Sequence, residues 1–151
     1  MSQSLSKIIV HIVFSTKNRS PYLSDEQLRN EMHSYLGGTC KKLGCPILNV
    51  GGIADHVHIL CMLARTFAIS KIVCEIKRAS SKWIKTEGSI YHNFAWQRGF
   101  GAFSVGQTEI QSVRSYINNQ QEHHQKKTFQ EEYLELLEYY RIQYDERYLW
   151  D

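Results

Sequence analysis

Lys7 to Ser15, KIIVHIVFS, is a run of β-branched and aromatic residues broken by one histidine, and it predicts a strand. Thr16 to Pro21 then reads as a basic turn. Ser24, with Gln27 three residues on, forms a capping-box pattern that opens a helix to about Leu43, stopped by Gly44. Pro46 to Val50 reads as a second short strand and Ile53 to Leu63 as a third. Gly51 and Gly52 are read as the turn between them. From 69 to 86, Ile69, Ile72, Val73, Ile76 and Trp83 fall on one face of a second helix. Residues 94–105, FAWQRGFGAFSV, read as a fourth strand that bends or carries a loop. A third helix is expected from about Thr108 to Gln125, and an acidic amphipathic one from Phe129 to Tyr140.

Strand, helix, strand, strand, helix, strand is the ferredoxin-like βαββαβ order. The expected fold class is α+β, an antiparallel sheet with helices and a C-terminal helical extension. The 151 residues fit a single domain, 1–151, of which 129–151 is the acidic end piece. No stretch approaches the roughly 20 apolar residues of a membrane span, and no apolar leader follows the N-terminus. Cys40, Cys45, Cys61 and Cys74 lack the spacing of a zinc site or a disulfide framework. They read as small buried apolar residues in a reducing cytoplasm.

The net charge of +3 conceals an asymmetry: residues 129–151 carry −5 and residues 1–128 carry +8. A basic body favours a polyanionic partner. Lys17, Arg19, Lys71, Arg78, Lys82, Lys85 and Arg98 are candidates for phosphate contacts, against the alternative of solvated surface charge. Phe94, Trp96, Phe100 and Phe103 can serve as strand core or as stacking platforms for unpaired bases.

Side chains alternate along a strand, so His56 and His58 point the same way and Val57 points into the other layer. Two such imidazoles can hold one metal ion, but a lone alternating pair is a weak signal and by itself reads as ordinary strand histidines. Tyr116 and Gln120, four apart on the expected third helix, share a face. An amide oxygen and a hydroxyl so placed could face the histidine pair; taken without the histidines, Tyr116 reads as an interface residue with a wet hydroxyl. His11, His33 and His92 read as ordinary histidines, and His123 and His124 receive no catalytic role. A zinc deaminase is excluded, because the position two after His58 is Leu60 and no P-C-x-x-C follows.

DHVHIL (Asp55 to Leu60), GFGAFSV (Gly99 to Val105) and YINNQQEHH (Tyr116 to His124) resemble the single-tyrosine HUH transposases. That family comprises the transposases of single-stranded-DNA insertion sequences and the REP-associated tyrosine transposases. The resemblance runs along nearly the whole chain. It implies that His56, His58 and Gln120 ligate a divalent metal; the expected ion is Mg2+, with Mn2+ the alternative because it accepts imidazole readily. It implies that Tyr116 is the nucleophile, forming a covalent 5′-phosphotyrosine while single-stranded DNA is cleaved and rejoined. It further implies hairpin DNA ends as partner, and a homodimer in which the tyrosine helix of one subunit completes the histidine pair of the other. Two alternatives stand beside this: a domesticated nuclease processing repeated palindromic DNA, and a non-catalytic module binding single-stranded nucleic acid.

Overall fold

The computed structural model describes residues 2–151. Its sheet is built of β1 (Ile9–Ser15), β2 (Ile47–Ile53), β3 (His56–Met62) and β4 (Gly101–Val105) in the order β2-β3-β1-β4. Every neighbouring pair is antiparallel. Helix α1 (Glu26–Lys42) links β1 to β2, and α2 (Ile69–Ile84) links β3 to β4. This is the βαββαβ arrangement expected from the order of elements. Four further helices follow: α3 (Ile110–Asn118), α4 (Gln120–His123), α5 (Phe129–Tyr139) and α6 (Glu146–Leu149). Among the described residues no helix is long and apolar enough to cross a membrane.

β1 is buried along its whole length because both faces of the sheet are covered. Val10, Ile12 and Phe14 join Val57, Ile59 and Cys61 on one face. Against them pack Leu28, Met32, Leu36 and Cys40, a stripe at four-residue spacing on α1, with Ile72, Val73 and Ile76 of α2. The other face carries Ile9, Val13 and Leu60, which meet Ile117 of α3 and Phe129, Tyr133 and Leu137 of α5. His11, His56 and His58 stand on that second face by strand alternation.

Several element boundaries differ from expectation, each for a local reason. Asp25, not Ser24, caps α1, its carboxylate accepting from Leu28 N at 2.8 Å. The Ser24 hydroxyl is spent on the Pro21 carbonyl at 2.7 Å. Gly44 does end the helix, at φ +78°, and Cys45 N donates back to Cys40 O at 2.9 Å, which closes a Schellman motif. Gly51 and Gly52 lie inside β2, and the hairpin turn is Ala54–Asp55. Of residues 94–105 only Gly101–Val105 is a strand. The preceding stretch is irregular, held by Gln97, which exchanges bonds with the Ser15 backbone at 2.8 and 2.9 Å. Lys77 adds donations to the carbonyls of Gln97 (2.8 Å), Arg98 (3.3 Å) and Gly99 (2.7 Å). Trp83 is half-buried rather than core and stacks on Tyr35. Cys40, Cys45 and Cys61 are buried as expected, whereas Cys74 is exposed.

Gly51 is where the sheet receives α3. A Cβ built there would stand 2.6 Å from Ile117 Cγ2 and 2.9 Å from the Ile117 carbonyl oxygen. A backbone oxygen cannot rotate away, so the helix itself would have to move. Gly51→Ala is expected to destabilise the protein by about 1–3 kcal/mol, the usual range for overpacking, measured as a lower urea midpoint. An unchanged midpoint would show that α3 does not need this close approach.

Candidate active site

The site lies where β3 begins, under α3, α4 and α5. His56 and His58 are fully buried, and both direct Nε2 away from the sheet. Burial of an imidazole without a partner is costly, so each ring nitrogen needs an account. His56 Nδ1 is 2.7 Å from Asp55 Oδ1, and its Nε2 is 2.9 Å from Gln120 Oε1. His58 Nδ1 is 2.8 Å from His11 Nε2. His58 Nε2 is 3.0 Å from Glu132 Oε1, which also lies 3.3 Å from His56 Nε2.

Glu132 is the hub. Its second oxygen accepts from the Tyr116 hydroxyl and, at 2.9 Å, from Gln120 Nε2. His124 Nε2 stands 3.2 Å from Glu132 Oε1 and 3.0 Å from Gln120 Oε1. Three imidazoles, an amide and a phenol therefore surround one carboxylate that is 1% exposed. Thr128 caps α5 by accepting from Glu131 N, and the stripe Phe129, Tyr133, Leu137 docks the helix on the sheet. Glu132, three after Phe129, falls on the same buried side.

Burial works against the ionised Glu132 carboxylate, but the hydrogen bonds from His124, His56 and His58 outweigh it and hold the acid well below its usual range. Burial likewise opposes a charged His56, and the bonds to Asp55 and Glu132 overcome it, raising that imidazole to about 9. His58 is lowered, chiefly by burial. Burial pushes His11 down to about 3, with the neighbouring His58 adding to the effect. Burial and then the Glu132 charge hold the Tyr116 hydroxyl above its ordinary range. The phenol in this arrangement keeps its proton and donates it to the carboxylate.

Tyr116 and Gln120 do meet the histidine pair, by a different route from one continuous helix. The expected helix from Thr108 to Gln125 is broken at Asn119, with α3 ending at Asn118 and α4 starting at Gln120. Asparagine is a weak helix former because its side chain competes for backbone partners. Asn118 Oδ1 accepts from Asn49 Nδ2 at 3.0 Å, and the same amide donates to Arg114 O at 3.1 Å, pinning the end of α3 to β2.

The donor set suits a divalent cation. His56, His58 and Glu132 each offer one ligand atom, all within 4.8 Å of one another and all buried. Imidazole nitrogen with carboxylate oxygen serves first-row metals, and manganese accepts it more readily than magnesium does. Gln120 Oε1 stands at the same place as a neutral donor.

Residues 4–120 match the family described as "Transposase IS200 like". The chain belongs to this family. Two solved structures share its fold. One is a candidate transposase from Deinococcus radiodurans R1, 20% identical with a TM-score of 0.61, covering 80% of this chain and 98% of that one. The other is a REP-associated tyrosine transposase bound to a REP hairpin, 15% identical with a TM-score of 0.58, covering 82% of this chain and 74% of that one. A search of curated proteins gave no match.

In this IS200-like transposase the family match stops at residue 120, so Glu132 and His124 lie beyond it. Sequence reasoning missed both, counting Glu132 among the tail's acids and giving His124 no role. It also passed over Asp55 and read His11 as ordinary. A usable signal for Glu132 was its place in the apolar stripe of α5, where a lone acid needs buried partners.

The seven basic candidates do not converge on the site. Lys71, Arg78 and Lys82 ride on α2 and Lys85 is its C-terminal cap; that helix covers the opposite face of the sheet, and Lys71 is paired with Glu75 at 3.1 Å. Lys85, Arg78 and Arg98 border a groove with Phe94, Trp96 and Phe100. Lys17 and Arg98 line a cleft of about 400 Å³ with Trp96 and Trp150, and the Arg19 guanidinium lies 5.8 Å from the Trp150 ring. Phe94, Trp96 and Phe103 are buried, which leaves Phe100 as the more accessible ring of the four.

Glu132→Gln keeps the size of the side chain and removes its charge. The loss of one charge-assisted contact, about 1.5–3 kcal/mol, corresponds to Mn2+ binding weakened by roughly ten- to a hundredfold. Titration followed by electron paramagnetic resonance measures it. Equal affinity in the variant would remove the carboxylate from the ligand set.

Proposed function

We propose that this IS200-like transposase cleaves and rejoins single-stranded DNA through a covalent 5′-phosphotyrosine on Tyr116, with a divalent metal, Mg2+ or Mn2+, at His56, His58 and Gln120, and with the Glu132 carboxylate as a further oxygen donor until DNA takes its place. One observation carries the reading. A single carboxylate, Glu132, reaches from both imidazole Nε2 atoms to the Tyr116 hydroxyl. A phosphodiester likewise presents two non-bridging oxygens on one centre. It can take that place with one oxygen toward the histidines and its phosphorus near the hydroxyl.

A bound divalent ion would polarise the scissile phosphate and offset charge on its oxygens. The chain's own residues supply the rest. His56 and His58 hold their Nε2 atoms on one side, fixed through Asp55 and His11. Tyr116 stands on α3, docked against Gly51, with its hydroxyl turned to the site. In the cleavage step the Tyr116 oxygen bonds to phosphorus and loses its proton to solvent, while the bond from phosphorus to the upstream 3′-oxygen breaks and that oxygen takes up a proton from water. The upstream strand departs with a 3′-hydroxyl. Attack by another 3′-hydroxyl reverses the exchange and frees the tyrosine. Covalent storage explains the choice of tyrosine over water, since hydrolysis would lose the ends.

The substrate in this reading is single-stranded DNA with hairpin ends, consistent with the basic body and with the hairpin held by the REP-associated relative. A homodimer that exchanges tyrosine helices belongs to the same proposal, although within one chain Tyr116 already stands beside His58, with ring centroids 5.7 Å apart.

Incubation with labelled single-stranded DNA from the genomic flanks, with Mg2+ or Mn2+, should give a covalent protein–DNA species on a denaturing gel. That species should require the metal and disappear in Tyr116→Phe. Cleavage persisting in Tyr116→Phe would sink the nucleophile assignment, and DNA binding without any adduct would favour a non-catalytic module. For the dimer, His56→Ala mixed with Tyr116→Phe should recover adduct formation. No recovery would assign the work to sites built within one chain.

A further inference from the structure

His11 is a buried histidine in the middle of β1, outside every set of residues considered above as ligand or nucleophile. Its Nε2 meets His58 Nδ1 at 2.8 Å. The two rings are 27° from parallel with centroids 5.0 Å apart, and their contact is between ring nitrogens. Phe103 and Tyr116 stand edge-on to His11 at 6.1 and 6.3 Å, which restricts ring rotation.

The direction of this hydrogen bond follows from what faces the other nitrogen of His58. In the structure that nitrogen, Nε2, lies 3.0 Å from Glu132 Oε1, and an ionised carboxylate only accepts. A neutral His58 therefore carries its hydrogen on Nε2, leaves Nδ1 as a lone pair, and accepts from His11 Nε2–H. A metal on His58 Nε2 needs the lone pair there. The hydrogen must then sit on Nδ1 and be donated to His11 Nε2. A neutral imidazole can take either part, with its own hydrogen on Nε2 or on Nδ1. His56 has a different anchor, the Asp55 carboxylate, which can only accept.

We propose that His11 is a positioning residue for metal ligation, holding the His58 ring through Nδ1 and reversing the sense of that hydrogen bond when a divalent cation takes His58 Nε2. This rests on the metal site proposed above. The exchange moves no net charge: each ring holds one hydrogen before and after, on the other nitrogen. It gives a reason for histidine at position 11, where phenylalanine of similar size would fill the space with neither donor nor acceptor. Outer partners of this kind typically change metal affinity ten- to a hundredfold.

The test reads the tautomers directly. Nitrogen-15 spectra of the histidine rings, in the full chain, are recorded without metal and with Zn2+ as a diamagnetic probe. The expected result is His58 passing from hydrogen on Nε2 to hydrogen on Nδ1, with His11 passing the same way. Mn2+ affinity is measured alongside. His11→Phe should bind roughly ten- to a hundredfold more weakly, and His11→Gln, whose amide can donate or accept, should recover much of that loss. If the His11→Phe chain does not fold, the wild-type spectra and His11→Gln decide the matter. Metal-dependent changes at His56 and His58 with His11 unmoved, or a folded His11→Phe that binds like wild type, would overturn the role of His11 and leave the metal site standing. No change at any histidine would overturn the metal site, and the inference with it.

Discussion

A buried carboxylate cannot remain ionised without partners, and Glu132 shows how much of the structure is arranged to supply them. Its burial opposes the charge, and His56, His58, His124, Gln120 and Tyr116 together offset that cost. Pairing of this kind contributes little net stability compared with an apolar replacement, yet loss of any one partner leaves the others buried and unmatched. The site is therefore specific more than it is stabilising. In the observed placement of β3, α3, α4 and α5, Glu132 and each imidazole that faces it have partners.

The apolar framework makes this possible. With α1 and α2 covering one face of the sheet, the second face is free to receive α3 and α5. Phe129, Tyr133 and Leu137 seat α5, and Ile117 seats α3 on the bare backbone of Gly51. Between those two contacts the sheet presents histidines in place of aliphatic residues. The same alternation that builds a core elsewhere here builds a polar pocket under two helices.

The arrangement also sets the chemical state of the tyrosine. A phenol donating to a buried carboxylate keeps its proton and stays a weak nucleophile. In the proposed reaction, a phosphodiester entering the site must displace or share that contact. The carboxylate itself comes from α5, past residue 120 where the family match ends.

Much was legible in one dimension, for reasons of period and chemistry. Strand runs, the α2 stripe and the order of elements led to the antiparallel βαββαβ sheet, and alternation alone placed His56 and His58 on one face. The motifs DHVHIL, GFGAFSV and YINNQQEHH pointed to the family. Local competition was not legible: whether Ser24 or Asp25 caps α1, whether the glycines turn or lie in β2, whether Asn119 breaks a helix. Each depends on which partner a side chain or backbone meets, as Gly51 meets Ile117. Still less could spacing reveal Glu132 or His11, 74 and 47 residues from His58, since nothing in a linear pattern marks a contact made across a sheet or by a later helix. The sequence by itself determined the elements, their order and the chemical types available. The tertiary structure decided which of them share a pocket, because burial forces polar groups to find partners wherever the packed chain brings them.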